Sequence, residues 1–345
     1  MADISQSTPG AVLADRLWQQ RIWLLSVAIL AVLAVLSPAQ ARASLGFVAE
    51  ALAGTAPFLF LSIGIAAYAS ASGADNLIAR AFSGAPVRMV VVAALVGALS
   101  PFCSCGVIPL IAALLAMGVP LSAVMAFWLA SPVMDPSMFA LTAGVLGWEF
   151  AVGKTLAAIG LGLLGGYVTM LVMKAGGLGD PLREGVGNGG CGASSVRAPK
   201  PVVWRFWTHT DRRAKFGREA LKTTLFLGKW LTLAFVLESL MLAYVPAEMI
   251  TGFLGGQGAG TVILASVVGV PAYLNGYAAL PLVGGLIEQG MAPGAAMAFL
   301  VAGGVSSLPA AIAVWALARP QVFALYLALA LGGSIAAGLI YGAFA

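Results

Sequence analysis

The chain has 345 residues, of which 61% are hydrophobic and only 9% charged, and its formal net charge is +5. Soluble domains carry about 25% charged residues, so a water-soluble fold is excluded and an all-α polytopic membrane protein is expected. The basic excess gathers in one loop between apolar blocks, which reads as the charge bias of an inner-membrane protein rather than a nucleic-acid surface.

In chain order, Arg16 and Arg21 precede an apolar run from Ile22 to Leu36, and Ala39-Gln40-Ala41 resembles a cleavage site. A signal peptide and an uncleaved first transmembrane helix both fit that pattern. The block from Gly46 to Ala71 is long enough to span ~30 Å of hydrocarbon. Arg88 to Gly118 is apolar but broken at Pro101–Gly106. Each arm has about 12 residues, about 18 Å of helix, which suits a re-entrant hairpin; one bent crossing is the competing reading. The segment from Pro120 to Gly147 is interrupted at Ser131-Pro132-Val133-Met134-Asp135-Pro136, because two prolines cannot sit in one regular helix without freeing backbone groups. Phe150 to Met173 then reads as an unbroken span.

Lys174 to Leu221 differs in kind, Gly-rich at first and then basic, and reads as a cytoplasmic linker. Beyond it the pattern returns. Thr223–Val245 is a span, Gly258–Gly290 is broken at Val270–Gly276, Gly294–Leu317 is broken at Gly303–Pro309, and Val322–Tyr341 is the last span. Pro109–Val133 aligns without gaps on Pro281–Val305, with 10 of 25 positions identical, so the chain contains an internal duplication. The expected organisation is 1–45 with the first helix, 46–173 as the first membrane repeat, 174–221 as linker, and 222–345 as the second repeat. If both long broken segments are re-entrant, the two units are inverted and most basic residues fall inside, leaving Arg42, Lys154 and a few glutamates outside.

Two of the three cysteines, Cys103 and Cys105, stand one residue apart on the first break. Three cysteines make no disulfide framework, and the single histidine, His209, lies in the basic loop, against an imidazole-built metal site. A thiol pair on interrupted backbone within a membrane suits a thiophilic metal or metalloid. The decapeptide Ser100-Pro101-Phe102-Cys103-Ser104-Cys105-Gly106-Val107-Ile108-Pro109 resembles the signature of the bacterial predicted-permease family that includes the organoarsenical efflux permease ArsP. The breaks at Ala130-Ser131-Pro132 and Gly303–Pro309 are similar to that family's. The resemblance runs from about Gly46 to Tyr341. It implies efflux of trivalent organoarsenicals such as methylarsenite, or of soft metal ions in some relatives, with Cys103 and Cys105 as the family thiols. An organoarsenical with one carbon substituent has two valences left for sulfur, which matches two thiols; the alternative is that buried cysteines act as small apolar residues.

Other candidates follow from position. Asp135, between two prolines, is a candidate proton carrier or a cap on a half-helix. Glu238, with Lys229 on the same span, is a second buried-charge candidate, and Lys229 also suits a snorkelling role. Tyr273 and Asn275 on the second break, and Ser306 and Ser307 on the last one, are candidates to line the same cavity, or else simply permit close packing. Trp23, Trp128, Trp148, Trp230 and Trp315 fit interfacial belts. No P-loop is present, and no cofactor is implied. Expected partners are a small thiophilic substrate and lipid, not nucleic acid; a homo-oligomer is left open. Secondary-active efflux is the leading expectation, with a copper or zinc exporter and a membrane thiol oxidoreductase as alternatives.

Overall fold

A computed structural model describes residues 9–73, 85–100, 102, 104, 106–183, 202–244, 258–272 and 276–345. Every regular element among the described residues is helical: α1 Pro9–Leu36, α2 Pro38–Ser72, α3 Pro86–Leu99, α4 Ile108–Ala116, α5 Leu121–Ala130, α6 Pro136–Leu146, α7 Trp148–Lys174, α8 Thr210–Tyr244, α9 Ala259–Ala272, α10 Gly276–Glu288, α11 Pro293–Ser306, α12 Leu308–Leu317 and α13 Pro320–Phe344, with one 3-10 turn at Phe206–Thr208. Among them α7, α8 and α13 are each long and apolar enough to cross a membrane, as are α11 and α12 taken together, which makes four spans, or up to five if the bent α2 counts as one. The 43° bend of α2 falls at Pro57, whose ring clashes with the preceding turn.

Proline punctuates the pattern. Pro86, Pro136, Pro293 and Pro320 each stand in the first helical turn, where a missing N–H costs nothing. The tight reversals after α4 and α10 turn on Gly118 and Gly290, with φ of +85° and +102°, a region that glycine enters without Cβ strain.

The duplication extends well beyond the 25 residues that align by identity. Pro38 and Thr210, Leu121 and Pro293, Pro136 and Leu308, and Trp148 and Pro320 are all 172 residues apart, and each pair starts a helix. Packing partners repeat as well: α3 with α5 and α7 in the first unit, α9 with α11 and α13 in the second. Between the units, α6 packs on α10 and α12 on α4.

Side-chain neighbours give the directions. Gly166 lies against Val90, Ser122 and Ala126, while Gly162 lies against Ala94, Ala126 and Ala130, and Gly97 against Phe127 and Ala130. Hence α3 and α5 run parallel and α7 runs against both. A chain that enters along α3 and starts α5 in the same direction must return along α4, so the first broken segment is a re-entrant hairpin rather than a bent crossing. The same holds in the second unit, where Gly338 meets Val262, Gly294 and Ala298, and Gly269 meets Phe299. Finally, α7 and α13 are antiparallel, because Phe150 stacks edge-on with Tyr341 while Leu161 packs on Gly333. Equivalent helices therefore run in opposite directions: the units are inverted. Leu161 and Gly333 are themselves equivalent positions, so the pseudo-twofold axis passes between them.

Basic residues collect at one end of this arrangement. Arg212 donates to the carbonyls of Ala71 and Ser72 at 2.9 and 2.8 Å, and Lys215 to that of Ser70 at 2.7 Å. These cations satisfy the last carbonyls of α2 and oppose its dipole. Arg183 donates to the Ala318 carbonyl at 2.9 Å and lies 4.4 Å above the Trp315 ring. Residues 210–221, expected within the linker, are the first turns of α8; Ala39-Gln40-Ala41 lies in the first turn of α2. Large apolar side chains along α3 and α7, among them Val92, Leu95, Leu99, Leu156 and Leu171, face outward, as lipid-contacting surfaces do.

The halves of the broken helices that precede the breaks are deeply buried. All of α5, and α11 from Gly294 to Ser306, are buried. Glycine makes this closeness attainable: a Cβ at Gly269 would sit 2.6 Å from the Phe299 carbonyl oxygen, and one at the equivalent Gly97 would sit 2.8 Å from that of Phe127. Gly269→Ala and Gly97→Ala should each cost about 1–3 kcal/mol by overpacking and lower the melting temperature in detergent. Gly160→Ala, where a Cβ meets nothing within 4 Å, should leave that temperature unchanged.

Candidate functional site

The first hairpin tip and the second unit's broken helix meet. Ser104, the residue between the two cysteines, has its hydroxyl 3.3 Å from that of Ser307. Ser307 is the single non-helical residue between α11 and α12 and serves as the N-cap of α12. The tip is thus seated where α11 and α12 each leave backbone groups without helical partners. Cys103, Cys105, Tyr273 and Asn275, and the linker Cys191, lie outside the described residues. The flanking Phe102 is half-buried and packs on the core.

Adjacent serines at the second break do different things. Ser306 turns its hydroxyl back to the Ala302 carbonyl at 2.9 Å, within its own helix. Ser307 alone reaches the opposite unit. At the first break, Asp135 caps α6: its Oδ1 accepts the Ser137 and Met138 amides at 2.8 and 2.9 Å, along with the Ser137 hydroxyl. Asp135 and Ser307 stand at equivalent N-cap positions, but only the Asp135 side chain bonds the helix it precedes; Ser307 makes no side-chain cap bond and meets Ser104 instead. The Ser131 hydroxyl, also buried at this break, has no hydrogen-bond partner among the described residues.

Glu238 on α8 is only 2% exposed, and its Oε2 has no hydrogen-bond partner among the described residues. It forms no ion pair with Lys229, whose ammonium lies 5.5 Å from the Phe226 ring centroid. Nor does any hydrogen bond or ion pair join Glu238 to Asp135. The structure brings Ser104 and Ser307 together, and leaves Asp135 and Glu238 as separate polar positions.

Three residues near the breaks depart from the expectations or escaped them. Trp128, expected in an interfacial belt, is buried and stacks on Tyr326 with centroids 5.0 Å apart. It sits on α5, where the whole helix is enclosed, so its indole fills the core between units. The Tyr326 hydroxyl donates to the Val305 carbonyl in the last turn of α11, closing the second break. Lys154, expected outside, lies in α7 and is fully buried. Its Nζ has no hydrogen-bond partner among the described residues. The constant spacing between units pairs Lys154 with Tyr326, a signal that sequence contained but that hydropathy does not display.

A profile described as "Predicted permease", ArsP_1, matches residues 40–343. The chain belongs to that family. It is therefore a multi-pass membrane permease, and membership points to transport rather than to an enzyme. The chain is 21% identical to the UPF0718 protein MJ0584 of Methanocaldococcus jannaschii over 267 residues, covering 65% of this chain and 73% of that one. It is 29% identical to the UPF0718 protein YcgR of Bacillus subtilis over 120 residues, 34% of this chain and 41% of that one. No solved structure matches.

The Ser104–Ser307 contact is testable. In a background with Cys103, Cys105 and Cys191 replaced by serine, Ser104→Cys/Ser307→Cys should form a disulfide under mild oxidation. A cross-link should then hold the two halves together on a gel after cleavage in the linker. A second expectation concerns the cap: Asp135→Ala should cost about 1 kcal/mol of stability, within the range for lost N-caps, and Asp135→Asn should cost much less.

Proposed function

We propose that this permease exports trivalent organoarsenicals of the methylarsenite type, with Cys103 and Cys105 binding the arsenic and proton entry driving export. The observation that carries the reading is the 3.3 Å contact from Ser104, between the two cysteines, to Ser307 at the opposite unit's break. Inverted units with broken helices meeting at mid-depth are the arrangement in which alternating access places its substrate site. A thiophilic substrate without net charge would meet sulfur there, beside the buried helices α5 and α11. The remaining valences of a monosubstituted trivalent arsenic are two, which suits a pair of thiols: two As–S bonds form, two As–O bonds break, and each thiol proton leaves with a hydroxyl as water.

Carboxylates within the bilayer are retained where they move ions or protons, and Asp135 and Glu238 are the two this chain offers. The basic end of the bundle, with Arg183, Arg205, Arg212, Lys215 and Arg319, faces the cytoplasm of a bacterial inner membrane under the positive-inside rule. Tyr273, Asn275 and Ser307 would complete the polar lining of the cavity.

The test is uptake of methylarsenite into everted membrane vesicles, with and without a proton gradient. Wild type should accumulate it in a gradient-dependent way, and Cys103→Ser/Cys105→Ser should not. Accumulation that survives loss of both thiols would sink the site but keep the carrier. Accumulation of copper(I) or zinc in place of methylarsenite would move the substrate to a soft metal ion, and no flux of either would leave the thiol oxidoreductase.

A further inference from the structure

The two units solve one problem differently. Each contains a broken helix whose last turn before the break must be held from the neighbouring long helix. In the second unit, Tyr326 of α13 does this with a hydrogen bond to the Val305 carbonyl. A phenol at that depth is a permanent donor. In the first unit the equivalent position is Lys154 of α7, fully buried, with no hydrogen-bond partner for its Nζ among the described residues. Val133, the counterpart of Val305, stands two residues before Asp135, so the symmetry that pairs Lys154 with Tyr326 assigns its amine to the same break as that carboxylate, with no ion pair between them. The Ser131 hydroxyl at the same break is also buried without a hydrogen-bond partner among the described residues. The second break is closed and the first is not.

An ammonium held away from water and from its counter-ion is costly by several kcal/mol, and a leucine or a tyrosine would fit the fold without that cost. The surroundings leave few other charges to consider. Of the helices packed on α7, α5, α6 and α11 carry no titratable side chain of their own, and Asp135 caps α6. α13 carries Tyr326 and Tyr341, α3 carries Arg88 at its basic end, and α7 itself carries Glu149, Tyr167 and Lys174.

We propose that Lys154 is the coupling residue of the first unit: its amine takes up the driving proton, and the resulting ammonium closes on Asp135 and the break at 131–135. Releasing that proton to the opposite side frees the break again, so one proton is bound and one released per closure. Tyr326 keeps the second break closed throughout, so that only one of the two inverted units answers to protons. This rests on the secondary-active reading above and names the residue that carries its coupling.

Hydrogen–deuterium exchange on the full-length protein in detergent, over a pH series and corrected for the chemical exchange rate, tests it without substrate. Segment 131–138 should gain protection as pH falls, by about tenfold per pH unit across the step, the slope of one linked proton. Segment 303–309 should show no such step. Lys154→Gln should abolish the step, and Lys154→Tyr, which installs the second unit's own residue, should leave 131–138 protected at every pH. The Tyr variant also stands as the test if the Gln variant fails to fold. Absence of a step in wild type, the same step in 303–309, or a step that survives Lys154→Tyr overturns the proposal. In proteoliposomes, Lys154→Tyr should lose gradient-driven methylarsenite accumulation; unchanged accumulation also overturns it. Transport by wild type with no exchange step defeats the Lys154 assignment alone. A step that Lys154→Tyr removes, in a wild type that moves no methylarsenite, supports Lys154 and defeats the substrate reading alone.

Discussion

An interrupted helix inside a bilayer has backbone N–H and C=O groups that no lipid can satisfy, and the rest of this structure follows from that constraint. The breaks at 131–135 and 307 must be enclosed by protein, which is why α5 and α11 are so deeply buried. Enclosure at this density requires neighbouring backbones to approach closely, and Gly97, Gly162, Gly166, Gly269, Gly294 and Gly338 mark the places where they do. Some of the freed groups find a local partner: Asp135 accepts two amides of α6, Tyr326 donates to the Val305 carbonyl, and Ser307 meets Ser104 from the other unit.

Inversion supplies the second half of the logic. A single unit offers one hairpin tip and one broken helix, which point past each other. Two units related by a twofold axis between α7 and α13 place the tip of the first against the break of the second. The Trp128–Tyr326 stack crosses the same boundary. A contact assembled this way belongs to neither unit, and in the proposed transport cycle a rotation of one unit against the other would change which side of the membrane it faces.

Much of this was legible in the residues. Proline and glycine act on the backbone directly, so Pro101–Gly106, Ser131–Pro136 and Gly303–Pro309 announced the breaks, and Pro109–Val133 against Pro281–Val305 announced the duplication. Hairpin against bent crossing could be settled only by whether α3 and α5 run parallel, a matter of packing between segments. The basic stretch up to Arg218 looked like linker because polarity and helix propensity are independent, and Arg, Lys, Ala and Glu form helix readily. Trp128 looked interfacial because aromatic residues favour that zone, but a residue on a fully enclosed helix has no interface to reach. Ser306 and Ser307 were indistinguishable as neighbours; one lies inside the final turn and bonds backward, and the other lies outside it.

Lys154 is the most instructive of these cases. A lysine six residues into an apolar helix reads as a terminus that reaches the headgroups, and hydropathy gives no reason to think otherwise. Its burial follows from which face of α7 it occupies, the face shared with Phe150, Ala151 and Leu161 that packs on the rest of the bundle. Duplication starts from two identical units, and a transporter driven by a gradient needs them to respond unequally. In the coupling proposed above, a phenol on one side of the axis and an amine on the other do so with one side-chain difference: they stand at equivalent positions, and the protonated phenol is neutral while the protonated amine is charged. The carboxylate at 135, where the other unit has the neutral hydroxyl of Ser307, gives the amine something to answer to. On this proposal the asymmetry of the pair, rather than either residue alone, would give a symmetric scaffold its direction.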